Sequence, residues 1–162
     1  MAAAVPGRES LNGLIAKDKS HCLNEARAHS WQNLLGGGTG LQSDADEQLL
    51  LTIAFNTTVK LSSVVLGLPG NAACPATIKL FLNNDTLGFD EATDRASVQT
   101  IVITDPATTH FEIQLQAVKW QRTDSITIFV QDNHGSDVSS ITSINLYGAS
   151  INGTDVSKIK GC

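Results

Sequence analysis

"HFEIQLQAVKW", residues 110–120, alternates apolar and polar side chains more cleanly than any other stretch of the chain. Phe111, Ile113, Leu115 and Ala117 fall on one side of an extended backbone, and Glu112, Gln114 and Gln116 on the other. A period of two marks a half-buried strand, because successive side chains leave opposite faces of a sheet. Trp120 breaks the pattern. It is out of phase with Phe111 and Ile113 unless a bulge intervenes, which would place it on the other sheet face.

The same period extends outward in both directions. Downstream, "DSITIFVQDNHG" (124–135) offers Ile126, Ile128 and Val130, and "SSITSINLYG" (139–148) offers Ile141, Ile144 and Leu146. Upstream, "SVQTIVITDP" (97–106) sets Val98 opposite Ile101 and Ile103, so its phase is ambiguous. "ATIKLFLNND" (76–85) aligns Ile78, Leu80 and Leu82 before an Asn-Asn-Asp turn. "VKLSSVVLGLPGN" (59–71) is a strand stopped by Pro69-Gly70, and "QLLLTIAF" (48–55) is a mostly buried strand ending at Asn56. Short strands separated by turn signals predict an antiparallel β-sandwich with loops gathered at its ends. Ahead of the strands, Leu11, Leu14 and Ile15 have helical spacing and predict one short helix. "LLGGGTGLQSD" (34–44) is a Gly loop without the Gly-Lys-Ser/Thr ending of a phosphate loop.

The chain has 162 residues, enough for one domain with a substantial core. The reading places a loose leader at 1–10, a single domain at 11–153 and a polar tail at 154–162. A formal net charge of -5 argues against nucleic acid as the main partner. No apolar run is long enough to span a bilayer, and no membrane association is expected. "MAAAVPGRES" lacks the charged and apolar regions of a secretory signal. Cys22, Cys74 and Cys162 are far apart and form no Cys-x-x-Cys, which agrees with a reducing compartment. The sequons at Asn56, Asn84 and Asn152 therefore read as turns.

"SDADEQ" (43–48) gathers Asp44, Asp46 and Glu47. An EF-hand loop needs Gly at its sixth position and Glu at its twelfth; counted from Asp44, these hold Leu49 and Phe55. Catalytic carboxylate pairs sit across a cleft with one pKa raised, whereas three acids on one exposed loop stay ionised and hydrated. The cluster therefore reads as a loop in which Ser43 or Asp44 ties down backbone N–H groups, with an acidic partner-binding patch as the alternative. His21, Cys22 and His29 would need a distant Cys74 to complete a zinc site, and no metal or cofactor is expected. No Gly-x-Ser-x-Gly elbow is present, and no catalytic residues are assigned. Trp31 and Trp120 are core residues or, alternatively, binding anchors; Lys119 and Gln121 flank the second. The tail "TDVSKIKGC" is a frayed end or an arm that orders on docking through Lys158, Lys160 and Cys162.

Four blocks in fixed order carry a family resemblance: "HCLNE", "LQSDADEQLLLTIAFNTTVKL", "VKWQRTDSITIFVQDNHG" and "LYGASINGTDVSKIK". Together they resemble the PITH domain, found at the C-terminus of a thioredoxin-like protein and as a stand-alone protein. The resemblance covers roughly residues 10 to 160. It implies a jelly-roll sandwich similar to galactose-binding-like domains, and association with the regulatory particle of the 26S proteasome. The absence of Trp-Cys-x-x-Cys makes the chain look like a PITH-only member, so redox activity of two-domain relatives does not carry over. The expectation is a non-catalytic protein-binding module, monomeric when free, in the cytoplasm and nucleus. A sugar- or small-ligand-binding sandwich is the alternative, on fold analogy alone.

Overall fold

The computed structural model describes residues 9–36, 40–84 and 86–150. Ten strands follow the chain: β1 (Glu9–Ser10), β2 (His21–Leu23), β3 (Leu41–Gln42), β4 (Leu49–Gly67), β5 (Pro75–Leu82), β6 (Gln99–Val102), β7 (His110–Gln114), β8 (Thr123–Asn133), β9 (Ser140–Ile141) and β10 (Ser143–Ser150). Two short helices, α1 (Asn33–Gly36) and α2 (Phe89–Asp94), are inserted between them.

Every strand pair in this structure is antiparallel, and β4 organises them. Its first half, Leu49 to Ala54, lies between β2 and β8. Its second half, Val59 to Gly67, lies between β10 and β7. β5 and β6 extend the first layer beyond β8, and β1 extends the second beyond β10.

Straight, the 19 residues of β4 would span about 60 Å at about 3.3 Å per residue. Both of its ends instead lie beside residues 139–143. Ser139 Oγ donates to the Glu47 carbonyl at 2.6 Å, and Ser143 pairs with Gly67. The strand therefore doubles back, with Asn56, Thr57 and Thr58 at the corner that joins the two layers. Opposite that corner, the β8 register passes from Ser125 to Thr123 while β4 passes from Ala54 to Val59. The sequence places a strand end at Asn56; the partners change there, although the strand geometry continues.

The core fills the space between the layers. Leu49, Leu51, Ile53, Ile78, Leu80, Ile126, Ile128 and Val130 come from the first layer, and Leu61, Val64, Leu66, Ile113, Ile144 and Leu146 from the second. Leu61 and Val64 both point inward although three positions apart. The register shift pairs Ser63 with Tyr147 and Leu61 with Gly148, leaving Ser62 as a bulge residue that flips the phase of the strand. The bulge brings Lys60 so close that a Cβ on Gly148 would strike its carbonyl oxygen. On the outer face of the first layer, Leu50, Phe81 and Phe129 form a second cluster under Leu87 and Ala92. Phe89 meets Phe129 edge to face, ring centroids 6.2 Å apart. This cover explains why β8 is apolar on both faces.

Several expectations change. The strand over 110–120 ends at Gln114; residues 117–119 form a 3-10 turn with Ala117 exposed. The helix expected near Leu11 is only a 3-10 turn over Asn12–Leu14. Neighbouring strands claim the flanking backbone: Leu11 N–H donates to Leu146, and Ile15 bridges to Phe55. Glu9 and Ser10, assigned to the leader, pair with Gly148 and Tyr147.

Candidate functional site

The strands end in two opposed sets of loops. At the Leu49 end, the "SDADEQ" loop folds around Asn24, which takes a left-handed φ of 69°. Asn24 Oδ1 accepts the Ala45 N–H at 3.0 Å, and Asn24 Nδ2 donates to Gln48 O at 2.8 Å and to Asp46 Oδ1 at 2.9 Å. Asp46 Oδ1 also accepts the Gln48 N–H at 3.0 Å, an Asx turn. Ser43, buried, accepts the Ser139 N–H at 2.8 Å. The sequence assigns loop closure to Ser43 or Asp44. The structure keeps Ser43 and gives the carboxylate part to Asp46, because Asn24, supplied by a distant segment, meets it there. Asp44 is exposed and Glu47 half-buried, and neither side chain is drawn into a hydrogen bond among the described residues.

Trp120 sits at the other end. The 3-10 turn swings it back into the core, where it is 0% exposed. The expectation of Trp120 as a partner anchor is corrected: an indole with no accessible surface presents nothing to a partner. Lys119 and Gln121 remain exposed beside it. The Trp120 carbonyl accepts the Leu61 N–H at 3.0 Å, just past the β4 corner. Six residues of β4 separate this region from the acidic loop, about 20 Å at strand rise. The two groups of predicted contacts therefore do not form one surface. Lys158, Lys160 and Cys162 lie outside the described residues.

The β4 corner holds a feature the sequence reading misses. A cleft of about 600 Å³ opens there, lined by Lys19, Asn56, Thr57, Thr58, Asn83 and Asp124 over a floor that includes Phe55. Asn83, at φ 52°, positions the rim. Its Oδ1 accepts the N–H groups of Asp124 at 2.7 Å and Ser125 at 3.1 Å, and its Nδ2 donates to Arg122 O at 3.1 Å. Thr58 Oγ1 donates to Asp124 Oδ1 at 2.6 Å. Lys19 makes no side-chain hydrogen bond or ion pair among the described residues. The available signal was the Asn-Asn-Asp turn, where a left-handed Asn is favoured; nothing local showed that Lys19 would face it.

The remaining candidates do not converge. Cys22 lies within β2 opposite Leu51, and burial, reinforced by the Glu25 charge, pushes its thiol well above the ordinary range. Burial raises the Cys74 thiol as well, with Asp105 adding to the effect. Among the described residues no three His, Cys, Asp or Glu side chains gather as a metal site. Trp31 is 4% exposed and belongs to the core. No helix among the described residues is long and apolar enough to cross a membrane.

Comparison with known proteins gives one family and one fold. The PITH domain profile matches residues 2–161. Thioredoxin-like protein 1 of Schizosaccharomyces pombe is 30% identical over 98% of this chain and 58% of its own length. PITH domain-containing protein 1 is 30% identical in Xenopus laevis, over 88% of this chain and 73% of the relative. In Mus musculus it is 28% identical, over 83% and 66%. The chain thus spans between 58% and 73% of the length of these curated relatives. Among solved structures, the family 32 carbohydrate-binding module of Clostridium perfringens NanJ, in complex with galactose, superposes with a TM-score of 0.66. It shares 11% identity, over 86% of this chain and 98% of that one. A second module from C. perfringens, in complex with GalNAc-β-1,3-galactose, gives 0.64 at 8% identity, over 86% of this chain and 100% of that one. At such identity the likeness is one of fold: an antiparallel, galactose-binding-like β-sandwich.

Proposed function

The chain belongs to the PITH domain family, and on that premise we propose that it is a non-catalytic protein-binding module that associates with the regulatory particle of the 26S proteasome. The observation that carries this is the family match from residue 2 to 161, which takes in both layers of the sandwich and both loop ends. The family's association with the proteasome supports the partner. The fold adds support for a binding role, because its solved neighbours are binding modules. The cytoplasm and nucleus are the matching compartments.

For the contact surface we propose the acidic loop, with Asp44 and Glu47 as charges that meet basic residues of the partner. Their side chains make no hydrogen bond among the described residues, whereas Asp46 holds its own loop together. Lys119 and Gln121, and Lys158, Lys160 and Cys162 in the C-terminal segment, are proposed as separate contacts. Rim charges of this kind act mainly on the association rate and are screened by salt.

Co-sedimentation tests the proposal. The protein should travel with 26S particles and not with the isolated 20S core. Asp44→Asn combined with Glu47→Gln should slow association without lowering the melting temperature, and added salt should reproduce the effect on wild type. Failure of the wild-type protein to sediment with 26S particles would remove the proteasome from the reading. Full-rate binding by the double variant would remove the acidic loop.

A further inference from the structure

The two loop ends carry opposite charge. Around the acidic loop lie Glu25, Asp44, Asp46, Glu47, Asp105 and Asp137, with Arg27 as the cation among them. Among the described residues around the β4 corner lie Lys17, Lys19, Lys60, Lys119 and Arg122, against Glu9, Asp18 and Asp124. All five of these cations are exposed. In a chain whose net charge is -5, that is a local reversal of sign. It coincides with the cleft, and Lys19 lines the cleft without a side-chain partner among the described residues. A basic end with a concave polar site raises the local concentration of anionic groups.

We propose that the cleft at the β4 corner receives an acidic, extended segment of a protein partner. A carboxylate of the segment pairs with Lys19. The segment's backbone N–H groups meet Asp124, whose Oδ1 is held by Thr58 and whose other oxygen has no partner among the described residues. A peptide supplies both kinds of group along one strand, which suits a cleft that carries a cation and an anion side by side. Lys17, Lys60, Lys119 and Arg122 supply the longer-range attraction. Two other occupants fit less well. The sequence beyond Ser150, which departs from beside Val59, carries Lys158 and Lys160 against Asp155 and so repeats the sign of the cleft's surroundings. A second copy would bring Asp44 and Glu47 on a closed loop whose backbone N–H groups at Ser43, Asp44, Ala45 and Gln48 are already bonded within the fold, so it supplies carboxylates without the free N–H groups that Asp124 calls for. The inference rests on the protein-binding reading and is independent of which partner that is.

The test uses the full chain and a fluorescein-labelled octapeptide of alternating Glu and Gly, followed by anisotropy at low ionic strength. Titration with the unlabelled peptide should shift the NMR amide signals of Asn56, Thr57, Thr58 and Asn83 and spare those of the 43–48 loop. Lys19→Glu should weaken binding about five-fold, in keeping with reversing one exposed pair. Asp44→Asn with Glu47→Gln should not weaken it. Equal binding by Lys19→Glu and wild type would overturn the proposal, as would signal changes confined to other surfaces. So would competition by a short single-stranded DNA of equal charge as effective as that by unlabelled peptide, which would mark an unselective anionic surface. A salt-sensitive rise in mass with concentration would assign the basic end to a second copy instead. None of these readouts involves the proteasome, so a failed co-sedimentation and a failed peptide titration remain separate results.

Discussion

Replacing Trp120 separates a core tryptophan from a binding anchor by magnitude. The side chain is 0% exposed and belongs to the main hydrophobic cluster. A tryptophan buries roughly 150–250 Å², worth about 4–6 kcal/mol at about 25 cal/mol per Å² as an upper estimate. Trp→Ala substitutions in cores cost about 3–5 kcal/mol. Trp120→Ala should therefore lower the urea midpoint by about 1.5–2.5 M for a slope near 2 kcal/mol per M. Trp120→Phe should behave differently. The indole Nε1–H is buried without a protein acceptor among the described residues. Phe discards some packing area but also removes a donor whose unsatisfied burial costs about 1–3 kcal/mol. The two effects nearly cancel, and Trp120→Phe should stay within about 1.5 kcal/mol of wild type. Equilibrium urea unfolding, followed by circular dichroism, reads both variants. An unmoved midpoint for Trp120→Ala would refute the burial; a Phe variant as unstable as the Ala variant would show that the indole N–H is engaged.

Gly148→Ala should destabilise the fold by about 1–3 kcal/mol in the same assay, because the added methyl meets the Lys60 carbonyl at the Ser62 bulge and backbone has to move. Asp46→Ala should lower stability by about 1 kcal/mol, or about 2–4 °C in melting temperature, through loss of its bonds to Asn24 and Gln48, while Asp44→Asn leaves the melting temperature in place. Cys22 and Cys74 should resist a disulfide reagent at pH 8 in the folded protein and react on unfolding, because raised thiol pKa values leave little thiolate at that pH and, for Cys74, burial also restricts access.

Periodicity made the strands legible wherever one face is buried and the other solvated. Ile113 and Leu115 are buried and Glu112 and Gln114 exposed, as the alternation requires. It was ambiguous where both faces are covered, as in "SITIFV", since α2 hides Phe129 on the outer side. It also slipped at "KLSSVVL", because a bulge changes phase without leaving a composition signal. Past Gln114 the alternation continues in sequence while the chain turns: the Leu115 N–H is taken by the Ser62 carbonyl, and the 3-10 turn follows. No local rule distinguishes that ending from a longer strand.

The sites differ in legibility for a related reason. The acidic loop was visible because its charges are contiguous, yet its division of labour was not. Asp46 is structural and Asp44 is not because Asn24 arrives from β2, some twenty positions earlier in the chain. The cleft was invisible because its parts are scattered: Lys19 ahead of β2, Asn83 after β5, Asp124 at the start of β8. What assembles them is the doubling of β4 at Asn56–Thr58. That corner puts Ala54 beside Ser125 and Val59 beside Thr123, so Asp124 alone faces four residues of β4. It also sets Ala16 against Ala54, where the Ala16 N–H donates to the Ala54 carbonyl at 2.8 Å, and thereby brings the Lys17–Lys19 segment to the rim. The same doubling buries the apolar residues of both β4 halves face to face. The geometry that builds the core is thus the geometry that gathers the basic residues at one end and leaves the acids at the other. Substitutions that straighten the corner should therefore disturb stability and the cleft together, whereas Lys19→Glu, on an exposed side chain without side-chain bonds to the described residues, should disturb the cleft alone.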